Sequence, residues 1–187
     1  NMAMTYRLIF STVIPIILSQ TVYQLSGIID VTLFNALMDG KGHSGTTVST
    51  QLGIYSTKYR ILTNVPIAIS TAMASSMVPG LVSSYMRQNL KEVRSKISVV
   101  IKFNMMIAFP SAMGLAVLAE PIIRLLFRNS DYRTGATMLM TGSLCVVFYA
   151  LSTVTNGVLQ SIDKMNHPVY HSLISLVIHI ILVALLL

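Results

Sequence analysis

Five long apolar runs alternate with short polar stretches along the chain: residues 6–38, 48–85, 97–118, 134–161 and 169–187. A helix needs about 20 apolar residues to cross the roughly 30 Å hydrocarbon core of a bilayer, and each run is close to that length or longer. The pattern predicts an all-α integral membrane protein with about five transmembrane helices. The first run exceeds a minimal span, so it must tilt, bend or protrude. Pro15 in the first run offers a kink, and Pro110 stands mid-span in the third. A further apolar stretch, 122–127, is too short to cross and reads as an interfacial turn or short helix.

Polar residues inside these runs are not scattered. At about 100° per residue, Gln20, Tyr23, Gln24, Gly27 and Asp30 share one face of the first helix. On the second, Arg60 shares a face with Gly53, Ser56, Thr57, Thr63, Asn64 and Thr71, while Tyr55, Lys58 and Leu62 lie opposite. Lys58 is expected to snorkel or to pack on a neighbouring helix. Arginine at bilayer depth costs about 2.5 kcal/mol or more, so Arg60 should face a cavity or a partner rather than lipid. Pro66 and Pro79 bracket a small-residue run, 68–76, that permits close helix approach.

The intervening segments are polar. Residues 39–47 form a glycine-rich connector whose Gly-x-Gly lacks the strand, the helix and the Lys-Ser/Thr ending of a phosphate loop. Residues 87–96 carry four cations in an amphipathic pattern and are expected to form a cytoplasmic interfacial helix. Arg7, Arg87, Lys91, Arg94, Lys96 and Lys164 fall on that side, against Lys41, Arg124, Arg128 and Arg133 on the other.

Composition agrees with this pattern. The chain is 53% hydrophobic and only 10% charged, against about 25% charged for soluble domains. A net charge of +7 would point to nucleic acid in a soluble chain. Here the positive-inside bias and anionic lipid account for it, and no nucleic-acid partner is expected. The single cysteine, Cys145, excludes a disulfide framework, and no metal-ligand spacing emerges. The six acidic residues are dispersed over different segments, and no nucleophile–base arrangement is visible, so no enzyme is predicted. The first residues carry no cleavable signal and the last stand within an apolar run, which reads as a portion of a longer polypeptide.

Several blocks resemble a known family. Ile54-Tyr-x-x-x-Tyr-Arg-Ile-Leu-x-x-Val-Pro66, followed by Pro79-Gly-Leu, looks like the eighth helix of the lipid II flippases (MurJ/MviN). These belong to the multidrug/oligosaccharidyl-lipid/polysaccharide flippase superfamily, with stage V sporulation protein B, polysaccharide flippases and multidrug extruders. Pro15-Ile-Ile-Leu-Ser-Gln20, Leu25-Ser-Gly-Ile-Ile-Asp30, Pro121-Ile-Ile-Arg-Leu-Leu-Phe127 and Asn156-Gly-Val-Leu-Gln-Ser-Ile-Asp-Lys164 fit the same pattern. The resemblance covers nearly the whole chain and places it as five of six helices of the C-terminal lobe. The partner implied is an N-terminal lobe in the same polypeptide, with the sixth helix of this lobe also beyond the chain.

The resemblance implies a multi-pass transporter of the bacterial inner membrane, moving a lipid-linked glycan such as lipid II by alternating access among membrane lipids. Arg60 falls where the family places a cavity arginine for the pyrophosphate, and Gln20, Gln24 and Asn64 join it as candidate substrate contacts. Asp30 falls where some members place an acidic sodium-site residue. The matching last helix reads Val177-Ile-His179-Ile where such members offer Asn, so sodium and proton coupling through Asp30 and His179 both stay open. No other cofactor is implied. Two further readings remain at this point, a multidrug/toxin extruder antiporting organic cations and a non-transporting membrane scaffold.

Overall fold

The computed structural model describes residues 2–42, 44–127 and 131–186, without the side chains of 2–5, 7–9, 11, 12, 23, 184 and 186. The side chains of Arg7 and Tyr23, and the whole of Arg128, thus lie outside the described residues. All regular structure among the described residues is helical. Four helices are long and apolar enough to cross a membrane, and a bent helix pair raises the number to as many as five.

Helix α1 spans Met2–Gly40 with Pro15 inside it. The glycine-rich connector is shorter than the sequence pattern predicts, because α2 already begins at Gly45 (Gly45–Ile54). A π-helical turn, Tyr55–Tyr59, joins α2 to α3, Arg60–Met86. The run 87–96 is not a separate interfacial helix. Arg87 and Gln88 make a tight turn with Gln88 at φ 56°, and α4 starts at Leu90 and continues to Val117. The start is set by Asn89, whose side chain accepts from Glu92 N at 3.2 Å and donates back to the Glu92 carboxylate at 3.1 Å. That reciprocal arrangement satisfies a backbone donor that would otherwise stay open in the first turn.

Helix α5, Ala119–Leu126, is the short element expected near 122–127. The fourth apolar run is broken: α6, Tyr132–Gly142, and α7, Cys145–Ser161, meet at a 51° bend. Helix α8, Asn166–Leu186, completes the chain.

The chain divides into two compact units, residues 1–48 with 163–187, and residues 49–162. The first consists essentially of α1 and α8. The second holds three apolar clusters along its length. Ala74, Met77 and Leu81 of α3 meet Val93 of α4 and Val154 and Val158 of α7. Ala112 meets Val146 and Val147, and Leu62 meets Ala119, Ile123, Ala136 and Leu139. Gly157 makes the α3–α7 contact possible, since a Cβ there would stand 3.3 Å from the Ala74 methyl. The outward stripe of α4, with Val99, Phe103, Met106, Phe109 and Met113, is exposed and apolar, as a lipid-facing surface must be.

Asn104 is a fully buried polar residue in the second unit. Its amide donates to Ala150 O at 2.9 Å, while its Oδ1 has no hydrogen-bond partner among the described residues. It ties α4 to α7 where apolar packing alone would let them slide.

Candidate functional site

In the first unit the two residues expected to couple an ion come together. His179 Nε2 lies 3.3 Å from Asp30 Oδ1, and Ser26 Oγ lies 3.3 Å from His179 Nδ1. Ser26 stands one turn before Asp30, so both project from the same face of α1 onto one imidazole of α8. Ser26 stands in no polar stripe of the sequence, and its four-residue offset from Asp30 is the signal that marks it. Ser19 and Ser172 are buried in the same unit, at 5% and 2% exposure. They are separated in sequence like Ser26 and His179, which is the registry that two parallel helices produce. Gln20 and Gln24 are exposed residues of α1.

In the second unit Arg60 is the first residue of α3 beyond the π turn, and it is exposed. Asn64 follows one turn later on the same exposed side, about 40° round the helix. Gly53, Ser56, Thr57 and Thr71 are exposed as well, but Thr63 is not. Thr63 lies about 60° from Arg60 on the other shoulder, where it is buried and donates to Tyr59 O at 3.0 Å. The polar face is therefore narrower than expected. The carboxylates of this unit are engaged elsewhere: Glu92 with Lys96 at 2.8 Å, Glu120 with Arg124 at 2.7 Å, and Asp131 at the start of α6. None is committed to neutralising Arg60.

Lys58 packs on its neighbours, one of the two outcomes the pattern allowed. It is 3% exposed, its ammonium donates to Asp131 O, and it stands 6.0 Å from the centre of the Phe127 ring. Its stem passes over Gly135, where a Cβ would be 3.0 Å from Lys58 Cδ. Tyr59 donates to Gly142 O at 3.1 Å and stacks on Tyr55 at 5.4 Å between centroids. Tyr55, placed opposite Arg60 by a regular helical wheel, is 41% exposed. The π turn adds a residue and shifts the phase of everything before it relative to Arg60.

Between α5 and α6 lies an open cavity of about 280 Å³, lined by Glu120, Arg124, Tyr132, Arg133, Ala136, Thr137 and Met140. The Arg124 guanidinium lies over the Tyr132 ring at 4.2 Å. Beside it, Asp131 caps α6, accepting from Arg133 N at 3.1 Å, Thr134 N at 3.4 Å and the Thr134 hydroxyl at 2.6 Å. The Thr134 hydroxyl first, then its backbone N–H, and more weakly the Lys58 charge hold this carboxyl below the usual range. A depressed value means the cap contributes fully above the ordinary value of 3.8 and is lost as pH falls through the lower, folded one. Asp131→Ala should lower the melting midpoint of the detergent-purified native protein at pH 7. The difference from the parent should shrink as the pH is taken below 3.8.

Among the described residues no three His, Cys, Asp or Glu side chains gather to hold a metal ion. The family model described as Lipid II flippase MurJ matches residues 4–187. The lipid II flippase MurJ of Bacillus subtilis (strain 168) is 24% identical over 176 residues, covering 93% of this chain and 32% of the relative. The probable lipid II flippase MurJ of Bdellovibrio bacteriovorus is 28% identical over 126 residues, covering 64% of this chain and 24% of the relative. The chain thus spans about a third of the length of the first and a quarter of the second. No solved structure matches it.

Proposed function

The chain belongs to the lipid II flippase MurJ family, and from that premise we propose that it serves in carrying a polyprenyl-pyrophosphate-linked glycan such as lipid II across the bacterial inner membrane. In this reading it supplies most of one lobe of an alternating-access transporter, the other lobe belonging to the same polypeptide. The observation that carries the reading is the exposed guanidinium of Arg60 on a spanning helix whose unit commits its carboxylates elsewhere. A guanidinium stays charged in a low dielectric and binds phosphate through paired N–H donors, so a pyrophosphate is its natural counter-ion. Asn64 would add an amide one turn away. An organic-cation extruder would instead want acidic residues where Arg60 stands. Native protein in proteoliposomes should translocate a fluorescent lipid-linked pyrophosphate glycan and not an organic dye cation. The reverse outcome overturns the reading.

Coupling is assigned to Asp30 and His179, and the geometry around the imidazole favours a proton over sodium. With the neutral imidazole as its Nε2–H tautomer, Asp30 accepts from Nε2 before and after protonation, while Ser26 donates to Nδ1 before it and accepts from it after. A proton can therefore enter by rotation of one hydroxyl, with no contact broken. Asp30→Asn and His179→Gln should each abolish the dependence of transport on an imposed pH gradient. Native transport that follows a sodium gradient and ignores pH would transfer the role to sodium.

A further inference from the structure

A lysine buried in a membrane-spanning helix is expensive unless its ammonium is held, and Lys58 is held by a backbone carbonyl, not by a carboxylate. Its place explains why. Lys58 and Tyr59 are the last two residues of the π turn, and Arg60 follows directly. A π turn carries one residue more than the α-helix it interrupts, so it rotates the two flanking helices by about 100° relative to an uninterrupted course. Such turns are rare and persist where outside contacts hold them. Here both contacts come from one element pair. The Lys58 ammonium is fixed on Asp131 O just ahead of α6, and the Tyr59 hydroxyl on Gly142 O at its far end.

We propose that Lys58 is the positioning residue of Arg60: with Tyr59 it locks the π turn onto α6 and so sets the direction in which the Arg60 guanidinium projects. This rests on the reading of Arg60 as the pyrophosphate contact, and adds what aims it. The fit is specific on three counts. The stem passes closely over Gly135, where a Cβ would stand 3.0 Å from Lys58 Cδ and push it aside by a few tenths of an ångström. The charge is placed 6.0 Å from the Phe127 ring, which stabilises a cation in a poorly solvated site. It is also felt at Asp131, whose carboxyl it helps to keep ionised beyond the larger effect of Thr134. A neutral side chain of the same reach would fill the space but leave Asp131 O without its donor. The π turn would then relax and carry Arg60 round towards the lipid or the packed side.

The test separates position from transport. In native protein carrying Cys145→Ala and Arg60→Cys, the rate of modification by a charged, membrane-impermeant thiol reagent is measured with and without Lys58→Met. Arg87→Cys, in the exposed turn before α4, is the control. The expected result is a drop of about tenfold or more at position 60, none at 87, and recovery with Lys58→Arg. Where Lys58→Met does not accumulate, Tyr59→Phe replaces it, with a drop of about threefold expected. Equal rates with Lys58 and with its replacement overturn the proposal. With Arg60 in place, Lys58→Met should raise the apparent KM for the lipid-linked pyrophosphate substrate about tenfold with kcat nearly unchanged. A changed labelling rate beside unimpaired transport by Arg60→Ala would leave the positioning intact and overturn the substrate role of Arg60 instead.

Discussion

Replacing Arg60 with alanine should abolish the ability of the native protein to sustain growth of a flippase-depleted strain, while its abundance in the membrane should stay normal. The two halves of this expectation have separate grounds. Stability is spared because Arg60 is exposed and no carboxylate of its unit is paired with it, and because alanine is the stronger helix former. Function is lost because a charge-assisted bond to phosphate contributes about 1.5–3 kcal/mol, and about 1.4 kcal/mol is tenfold in affinity. Removing a bidentate donor leaves the desolvated phosphate unmatched as well, so a loss of about a hundredfold is the central expectation. Arg60→Lys keeps the charge without the planar fork and should fall between the two. Complementation assays beside immunoblots measure this directly, and full rescue by Arg60→Ala would remove Arg60 from the mechanism.

The second large effect belongs to Gly142→Val. A Cβ at this position would lie 2.4 Å from Tyr59 Cε2 and 2.6 Å from its hydroxyl oxygen, closer than atoms can approach. The tyrosine has little room to yield, since its ring stacks on Tyr55 and its hydroxyl is bonded to the carbonyl of Gly142 itself. Overpacking of this kind costs about 1–3 kcal/mol, and the lost hydrogen bond adds about 1 kcal/mol. The melting midpoint of the purified native protein should drop by several degrees. Gly157→Ala should drop it less, because the Ala74 methyl at 3.3 Å need give way only slightly. A double-mutant cycle supplies the decisive measurement. Once Tyr59→Ala has emptied the space, adding Gly142→Val should cost little more, and strictly additive losses would contradict the steric account.

What the sequence made legible is what hydrophobic periodicity can carry. The apolar runs located the long helices, and the polar stripes singled out Arg60, which is exposed, and Asp30, which lies beside His179. The π turn left no such trace. No glycine or proline stands at 55–59, and the turn exists because Lys58 and Tyr59 reach acceptors 73 and 83 residues further along the chain. The bend at Ser143 and Leu144 also lacks a proline; Ser143 is buried there and its hydroxyl returns to Met140 O at 3.0 Å. Thr63 is buried although it shares the Arg60 face by sequence, because a 60° shoulder can be buried or exposed and only the neighbouring helix decides which. Ser26 was legible in principle, one turn from Asp30, but its meaning depended on where His179 would come to lie.

The hydroxyl groups of the second unit bear on how it can move. Thr63, Ser70, Thr71 and Ser84 on α3, and Thr153, Thr155 and Ser161 on α7, each donate to the carbonyl four residues back in their own helix. None of these bonds has to break when one helix turns against the other. Polar contacts to other elements lie near the ends of α3, with Lys58 and Tyr59 at one and Lys96, on Gly80 O at 3.1 Å and the Ser84 hydroxyl at 2.8 Å, at the other. Helix α3 is thus pinned by polar contacts near its two ends and held between them by apolar packing alone, so a turn about its axis must first release Lys58 and Tyr59 or Lys96.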